Sequence, residues 1–201
     1  MANLNRAVAV LQNGGVVAFP TETCYGLAVD PFNPLALNHL FILKQRNIGK
    51  PILTLVDDRE SLSSLVQEIP NLYEPLMKTF WPGPLTLIFP AKVNLPTLLT
   101  AGTATVGVRQ SSHPFARQLL RAFGRPLTAT SANISGRAAA VNAHGVKAQF
   151  GSKLDMVFDG GRTPGALGST IVGLAGDELR LIRAGHIPFA DILQVCQQGP
   201  D

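Results

Sequence analysis

VVAFPTETCYGLAVDPFNPLALNHLFILK, residues 16–44, is the stretch on which the reading of the fold turns. It opens with a short apolar run, residues 16–19, closed by Pro20, as a buried strand would be. A polar turn follows, and residues 26–29 form a second apolar run. Pro34 then stands where a helix begins, with Leu35, Leu37, Leu40 and Ile42 leading to about Lys44. Strand, turn, strand and helix in close succession predict an α/β domain. The alternation continues on both sides. Upstream, residues 3–12 read as an amphipathic helix stopped by Gly14-Gly15. Downstream, residues 52–56, 85–89, 105–108, 127–130, 156–158, 170–172 and 178–182 read as strands. Residues 71–80, 114–123, 142–150 and 189–197 read as helices, and Asp57 or Asp58 could cap a short one between. Trp81-Pro82-Gly83-Pro84 breaks the chain after residue 80. With no repeat, low-complexity segment or linker, one domain over residues 1–201 is the expectation.

Composition narrows the function classes. A chain of 201 residues with 46% hydrophobic content is not disordered and can bury a core without disulfides. Its apolar runs are far short of the roughly 18 to 20 residues of a spanning helix. Its start, MANLNRAVAVLQNGG, lacks the pattern of a signal peptide. A cytoplasmic protein is expected. Cys24 and Cys196 form no CxxC, and His39, His113, His144 and His186 have no ligand spacing. Reduced thiols and no protein metal site are expected. There is no GxxxxGK[ST], no GxGxxG and no GxSxG. A hydrolase triad or zinc enzyme fits poorly. The tools that remain are basic side chains, hydroxyls and backbone amides, which suit the stabilisation of phosphate charge.

The net charge of +4 is unremarkable, but its distribution is not. Between Glu74 and Asp155 there is no acidic residue, while nine basic ones fall in the same stretch: Lys78, Lys92, Arg109, Arg117, Arg121, Arg125, Arg137, Lys147 and Lys153. This predicts either a positive face for a polyanion, or a surface whose acidic partners lie elsewhere in the chain.

Four polar clusters fall where strands should end. In PTETCYGL (residues 20–27) two hydroxyls and a carboxylate occupy a turn, which is an ordinary turn or a ligand site. In KQRNIGKP (residues 44–51) Lys44, Arg46 and Lys50 crowd a helix C-terminus. They either complement its dipole or converge on an anion such as a triphosphate. In AGTATVGVR (residues 101–109) Arg109 ends a buried strand with no acidic neighbour in sequence. A ligand carboxylate or phosphate is the sharper reading there, and a long-range ion pair the plainer one. In TATSANISG (residues 128–136) Ser131, Asn133 and Ser135 could bind a ligand or simply close an Asx or Ser/Thr turn.

Taken in order, PTETCYGL, KQRNIGKPI, WPGPLT, VGVR, TSANISG, GST and IRAG resemble the YrdC-type family of threonylcarbamoyl-AMP synthases over about residues 5–185. The resemblance implies an open, twisted mixed sheet flanked by helices, with a basic concave cavity, in the short single-domain form. It implies L-threonine, bicarbonate and ATP as substrates, with threonylcarbamoyl-adenylate and pyrophosphate as products. The adenylate would supply N6-threonylcarbamoyl modification of adenosine 37 in tRNA, so tRNA and threonylcarbamoyl-transfer proteins are possible partners. Mg²⁺ would travel on the phosphates. By position, Thr23, Arg109 and Ser169 would contact threonine. Lys44, Arg46, Lys50, Thr105, Ser131, Asn133 and Arg183 would contact ATP, with Lys44 and Arg46 also catalytic. Glu22, the only carboxylate in these motifs, would fix its turn.

The chain departs from many relatives at Asn47, where Pro is common, and at Ala139, where Ser is frequent. Some relatives also have Asn in place of Lys50 and His in place of Leu55. The alternatives are a non-catalytic double-stranded RNA or tRNA binder, for which the aromatic content is low, or a paralogue with an altered substrate.

Overall fold

The computed structural model describes residues 2–165 and 167–197. The first apolar run becomes β1 (Val17–Pro20), which turns antiparallel into β2 (Tyr25–Ala28) with Val17 opposite Ala28. Both strands are buried along their whole length because side chains alternate between two cores. Val16, Ala18, Tyr25 and Leu27 enter the larger core. Val17, Phe19 and Ala28 enter a second one, completed by α1 (Ala2–Gln12) and α6 (Pro114–Phe123), which pack together. A period of two, filled on both faces, is why the run is uninterruptedly apolar.

The helix predicted after Pro34 is α2 (Pro34–Lys44). Asn33 caps it, its Oδ1 accepting from the amides of Leu35 at 3.0 Å and Ala36 at 3.2 Å. At the other end Gln45 takes a left-handed conformation, φ 50°, and its amide returns to the carbonyl of Ile42. This reversal sends Lys44 and Arg46 in different directions.

The remaining elements are β3 (Thr54–Val56), α3 (Arg59–Ser63), α4 (Tyr73–Phe80), β4 (Leu85–Pro90), α5 (Thr97–Thr100), β5 (Thr105–Gln110), β6 (Leu127–Thr128), β7 (Thr130–Ser131), α7 (Ala143–Phe150), β8 (Met156–Val157), β9 (Thr170–Ala175), β10 (Glu178–Arg183) and α8 (Phe189–Gln197). Asp58 is the cap chosen by α3, and Asn142 caps α7.

The open mixed architecture is present, with its hydrogen-bonded ladder in two parts. One sheet runs β7-β2-β1-β8 and the other β10-β9-β4-β5-β3-β6, each mixing parallel and antiparallel pairs. The strand read from sequence over residues 127–130 is instead two, divided between the sheets: β6 pairs with β3, and β7, which runs on to Ser131, pairs with β2. Thr128 fastens the crossing, its Oγ1 accepting from the Val29 amide at 2.9 Å and donating to the Leu27 carbonyl at 3.2 Å. Among the described residues no helix is long and apolar enough to cross a membrane.

Candidate active site

A cavity of about 450 Å³ opens where the 127–131 segment crosses between the sheets, and its wall includes Thr23, Arg46, Arg109, Ser131, Ser169 and Arg183. Each comes from a different motif. A larger cavity of about 1020 Å³, among α3, α4 and α8, gathers none of the predicted site residues.

Local hydrogen bonds explain how each side chain reaches the wall. The turn after β1 closes on itself. Thr21 Oγ1 donates to the Cys24 carbonyl at 2.7 Å and lies 3.0 Å from Thr23 Oγ1. The Gly165 amide donates to the Thr23 carbonyl at 2.7 Å and draws a distant loop over the turn. Cys24 also faces the cavity, and burial pushes its thiol up, away from the reactive thiolate. Glu22 sits behind the wall. Its carboxylate pairs with the Arg109 guanidinium and accepts from Ser111 Oγ. The long-range ion pair left open by the sequence is therefore formed, and Arg109, only 6% exposed, still borders the cavity.

Arg46 is held by the loop that follows it. Its Nη2 donates to the Pro51 carbonyl at 2.7 Å and its Nε to the Lys50 carbonyl at 3.3 Å. Arg183 donates from Nη2 to the Ser169 carbonyl at 2.8 Å. Burial lowers the pKa of both guanidinium groups, yet neither loses its charge at ordinary pH. Ser131 Oγ donates to Asn133 Oδ1 at 2.5 Å, and Asn133 Nδ2 donates to the carbonyls of Ile134 and Arg137. Asn133 thus shapes the loop from beside the wall.

Lys44 is buried beside the wall. Only 1% exposed, it lies under the 131–133 loop and donates from Nζ to the carbonyls of Ser131 and, at 2.8 Å, Asn133. Lys50 is exposed on its loop, and Thr105 begins β5, hydrogen-bonded to Thr103 Oγ1 at 2.9 Å. The structure does not bring either of these side chains to the described wall. Four strand steps separate Thr105 from Arg109, roughly 13 Å.

The wall is thus hydroxyls and guanidinium groups around a pocket with no carboxylate on its described surface. Such a set can bind carboxylate and phosphate oxygens in two places at once. A family model for Sua5, YciO and YrdC proteins, described as "Telomere recombination", matches residues 9–185. The chain belongs to the Sua5/YciO/YrdC family. It is 37% identical over 98% of its length to a threonylcarbamoyl-AMP synthase of Vibrio cholerae, of which it covers 97%. It is 38% identical over 94% of its length to a threonylcarbamoyl-AMP synthase of Pyrococcus abyssi, of which it spans 56%. A crystal structure of Pyrococcus abyssi Sua5 with L-threonine superposes with a TM-score of 0.92 at 38% identity, over 96% of this chain and 56% of that one.

Sequence reading of this Sua5/YciO/YrdC chain missed Leu53, Ala129, Val141 and Gly165, which also line the cavity. They are apolar or featureless singly, and only the crossing of the two sheets assembles them. It also missed Thr86, fully buried behind Ser169 with the two hydroxyl oxygens 2.8 Å apart.

Proposed function

We propose that this chain is an L-threonylcarbamoyladenylate synthase. It makes threonylcarbamoyl-AMP and pyrophosphate from L-threonine, bicarbonate and ATP, and the product serves N6-threonylcarbamoyl modification of adenosine 37 in tRNA. The observation that carries the reading is the convergence of hydroxyls and guanidinium groups from separate motifs on one cavity of about 450 Å³. The names of the relatives support the activity, and the threonine-bound Sua5 supports the substrate. The setting is cytoplasmic, and tRNA and the proteins that accept the threonylcarbamoyl group are the partners.

In this reading Thr23, Arg109 and Ser169 form the threonine side. Arg109 offers the carboxylate the N–H groups that Glu22 leaves free. Arg46, Ser131, Asn133 and Arg183 form the nucleotide side, with Lys50 reaching the phosphates from its loop. Lys44 acts from beneath, holding the 131–133 carbonyls in place. The wall donates hydrogen bonds suited to phosphate oxygens, so Mg²⁺ travels on the triphosphate and its waters.

The threonine amine attacks the bicarbonate carbon and water leaves, giving a carbamate. A carbamate oxygen then attacks the α-phosphorus, and the bond from that phosphorus to the bridging oxygen breaks to release pyrophosphate. Charge grows on the phosphoryl oxygens and the leaving group, where Arg46 and Arg183 stabilise it. Positioning supplies much of the rest.

Pyrophosphate release from ATP, with threonine and bicarbonate omitted in turn, tests the reading. Release that requires both is the expected result; release that ignores either one contradicts it. Arg46→Ala should slow release by about 100- to 1000-fold, the usual effect of losing one preorganised donor, with the melting temperature near that of the wild type.

A further inference from the structure

Thr86 closes the WPGPLT motif with no role assigned to it there, yet its hydroxyl is placed to control the hydroxyl beside it. It is the second residue of β4 and is fully buried. Its methyl faces the space over Gly107, 3.6 Å from where a Cβ on that glycine would stand. A β-branched side chain has few χ1 choices, so with the methyl on that side Oγ1 is directed toward β9. There it meets Ser169 Oγ at 2.8 Å.

The protons of this pair can be assigned. Among the described residues Ser169 Oγ is the sole hydrogen-bond partner of the Thr86 hydroxyl. Were Thr86 the acceptor, its own proton would be buried without a partner, so Thr86 donates. Ser169 Oγ also lies 3.3 Å from Arg183 Nη2, and a guanidinium can only donate. Both lone pairs of Ser169 Oγ are therefore engaged. Its proton has no acceptor among the described residues, while its side chain borders the cavity.

We propose that Thr86 is a positioning residue that fixes Ser169 as a hydrogen-bond donor to an oxygen of the amino-acid substrate. The assignment of that oxygen to L-threonine rests on the function proposed above. A serine free to rotate could offer either a lone pair or a proton; here only the proton remains. The site then favours an acceptor oxygen at this point, a carboxylate or hydroxyl oxygen, and disfavours an ammonium group.

Thr86→Ser and Thr86→Ala both lack the buried methyl and differ from each other by the hydroxyl alone. Steady-state kinetics of pyrophosphate release should show a KM for L-threonine about three- to tenfold higher in Thr86→Ala than in Thr86→Ser, the usual net worth of one hydrogen bond. The KM for ATP should match between the two. In a Ser169→Ala background the difference in threonine KM should vanish, because the hydroxyl acts only through Ser169. Equal threonine KM values for the two variants, or a difference that persists without Ser169, would overturn the proposal. Failure of the wild type to bind L-threonine in calorimetry would instead contradict the proposed substrate. The positioning claim is then read from crystal structures: Ser169 should keep its rotamer in Thr86→Ser and leave it in Thr86→Ala. The same rotamer in both refutes the claim.

Discussion

Buried Arg109 pairs with the partly buried Glu22, far away in the chain. Removing one member of such a pair leaves the other charge buried and uncompensated, at a cost of about 3 to 5 kcal/mol. Glu22→Gln should therefore lower the unfolding free energy from urea titration by about that amount, and an unchanged free energy would show the pair to be dispensable. Lys44 makes a different prediction. Burial, with help from the nearby Arg46 charge, lowers its pKa from 10.5 to about 7. In the unfolded chain Lys44 keeps its proton up to about 10.5, whereas in the folded one it has lost it by then. Between these values the unfolded state binds more protons, so stability rises with pH across the window and falls back as pH drops toward 7. Lys44→Met should remove up to about 1.4 kcal/mol per pH unit from the slope of stability against pH in that window. Identical slopes from chemical denaturation would contradict this. The carbonyl contacts persist on deprotonation, since an amine still carries N–H donors.

At this scale the sequence was informative about residue types and blind to distance. Thr23, Arg46 and Ser131 could be named from polar clusters at strand and helix ends, and Ser169 and Arg183 from the family resemblance. The union of Glu22 with Arg109 could not, because only the fold decides which carboxylate meets a buried arginine. The role of Thr86 was hidden for a related reason: the threonine that ends WPGPLT looks like any β-branched strand residue until Ser169 is set beside it.

Among elements, the long apolar runs and the capped helices were legible, and the crossing at residues 127–131 was not. Leu127, Thr128, Ala129 and Thr130 read as one strand by pattern. Their pairing with β3 on one side and β2 on the other is a tertiary property. The short α5 was also unseen, since four residues, TLLT, give no helical period. The joint between β9 and the end of β10 makes a sharp prediction. A Cβ on Gly185 would collide with backbone atoms of Gly168, Ser169 and Thr170, none of which can move as a side-chain tip could. The His186 amide donates to the Gly168 carbonyl, and Thr170 Oγ1 to the Ile187 carbonyl, so both strands of chain are tied there. Gly185→Ala should lower stability by about 1 to 3 kcal/mol through overpacking and raise the KM for threonine by displacing Ser169. Wild-type values for both would show that the joint is soft.

For the whole molecule, the stretch without acids is less positive in space than in sequence. Arg117 and Arg121, one helical turn apart on α6, share Asp57 at 3.2 and 2.6 Å, and Arg125 pairs with Asp30 at 3.1 Å. With Arg109 on Glu22, four of the nine cations pair with carboxylates outside the stretch, while Lys78, Lys92, Arg137, Lys147 and Lys153 form no ion pair among the described residues. At the cavity, Arg46 and Arg183 add two guanidinium groups that form no ion pair among the described residues. A cavity of that kind is suited to a small anionic substrate, and it favours catalysis over passive binding of an RNA duplex. The most direct measurement is mass spectrometry of the adenylate made from ATP, L-threonine and carbon-13-labelled bicarbonate. The account predicts threonylcarbamoyl-AMP carrying the labelled carbon, abolished when threonine is left out. Folded protein that makes no such adenylate, or makes one without the label, would contradict it.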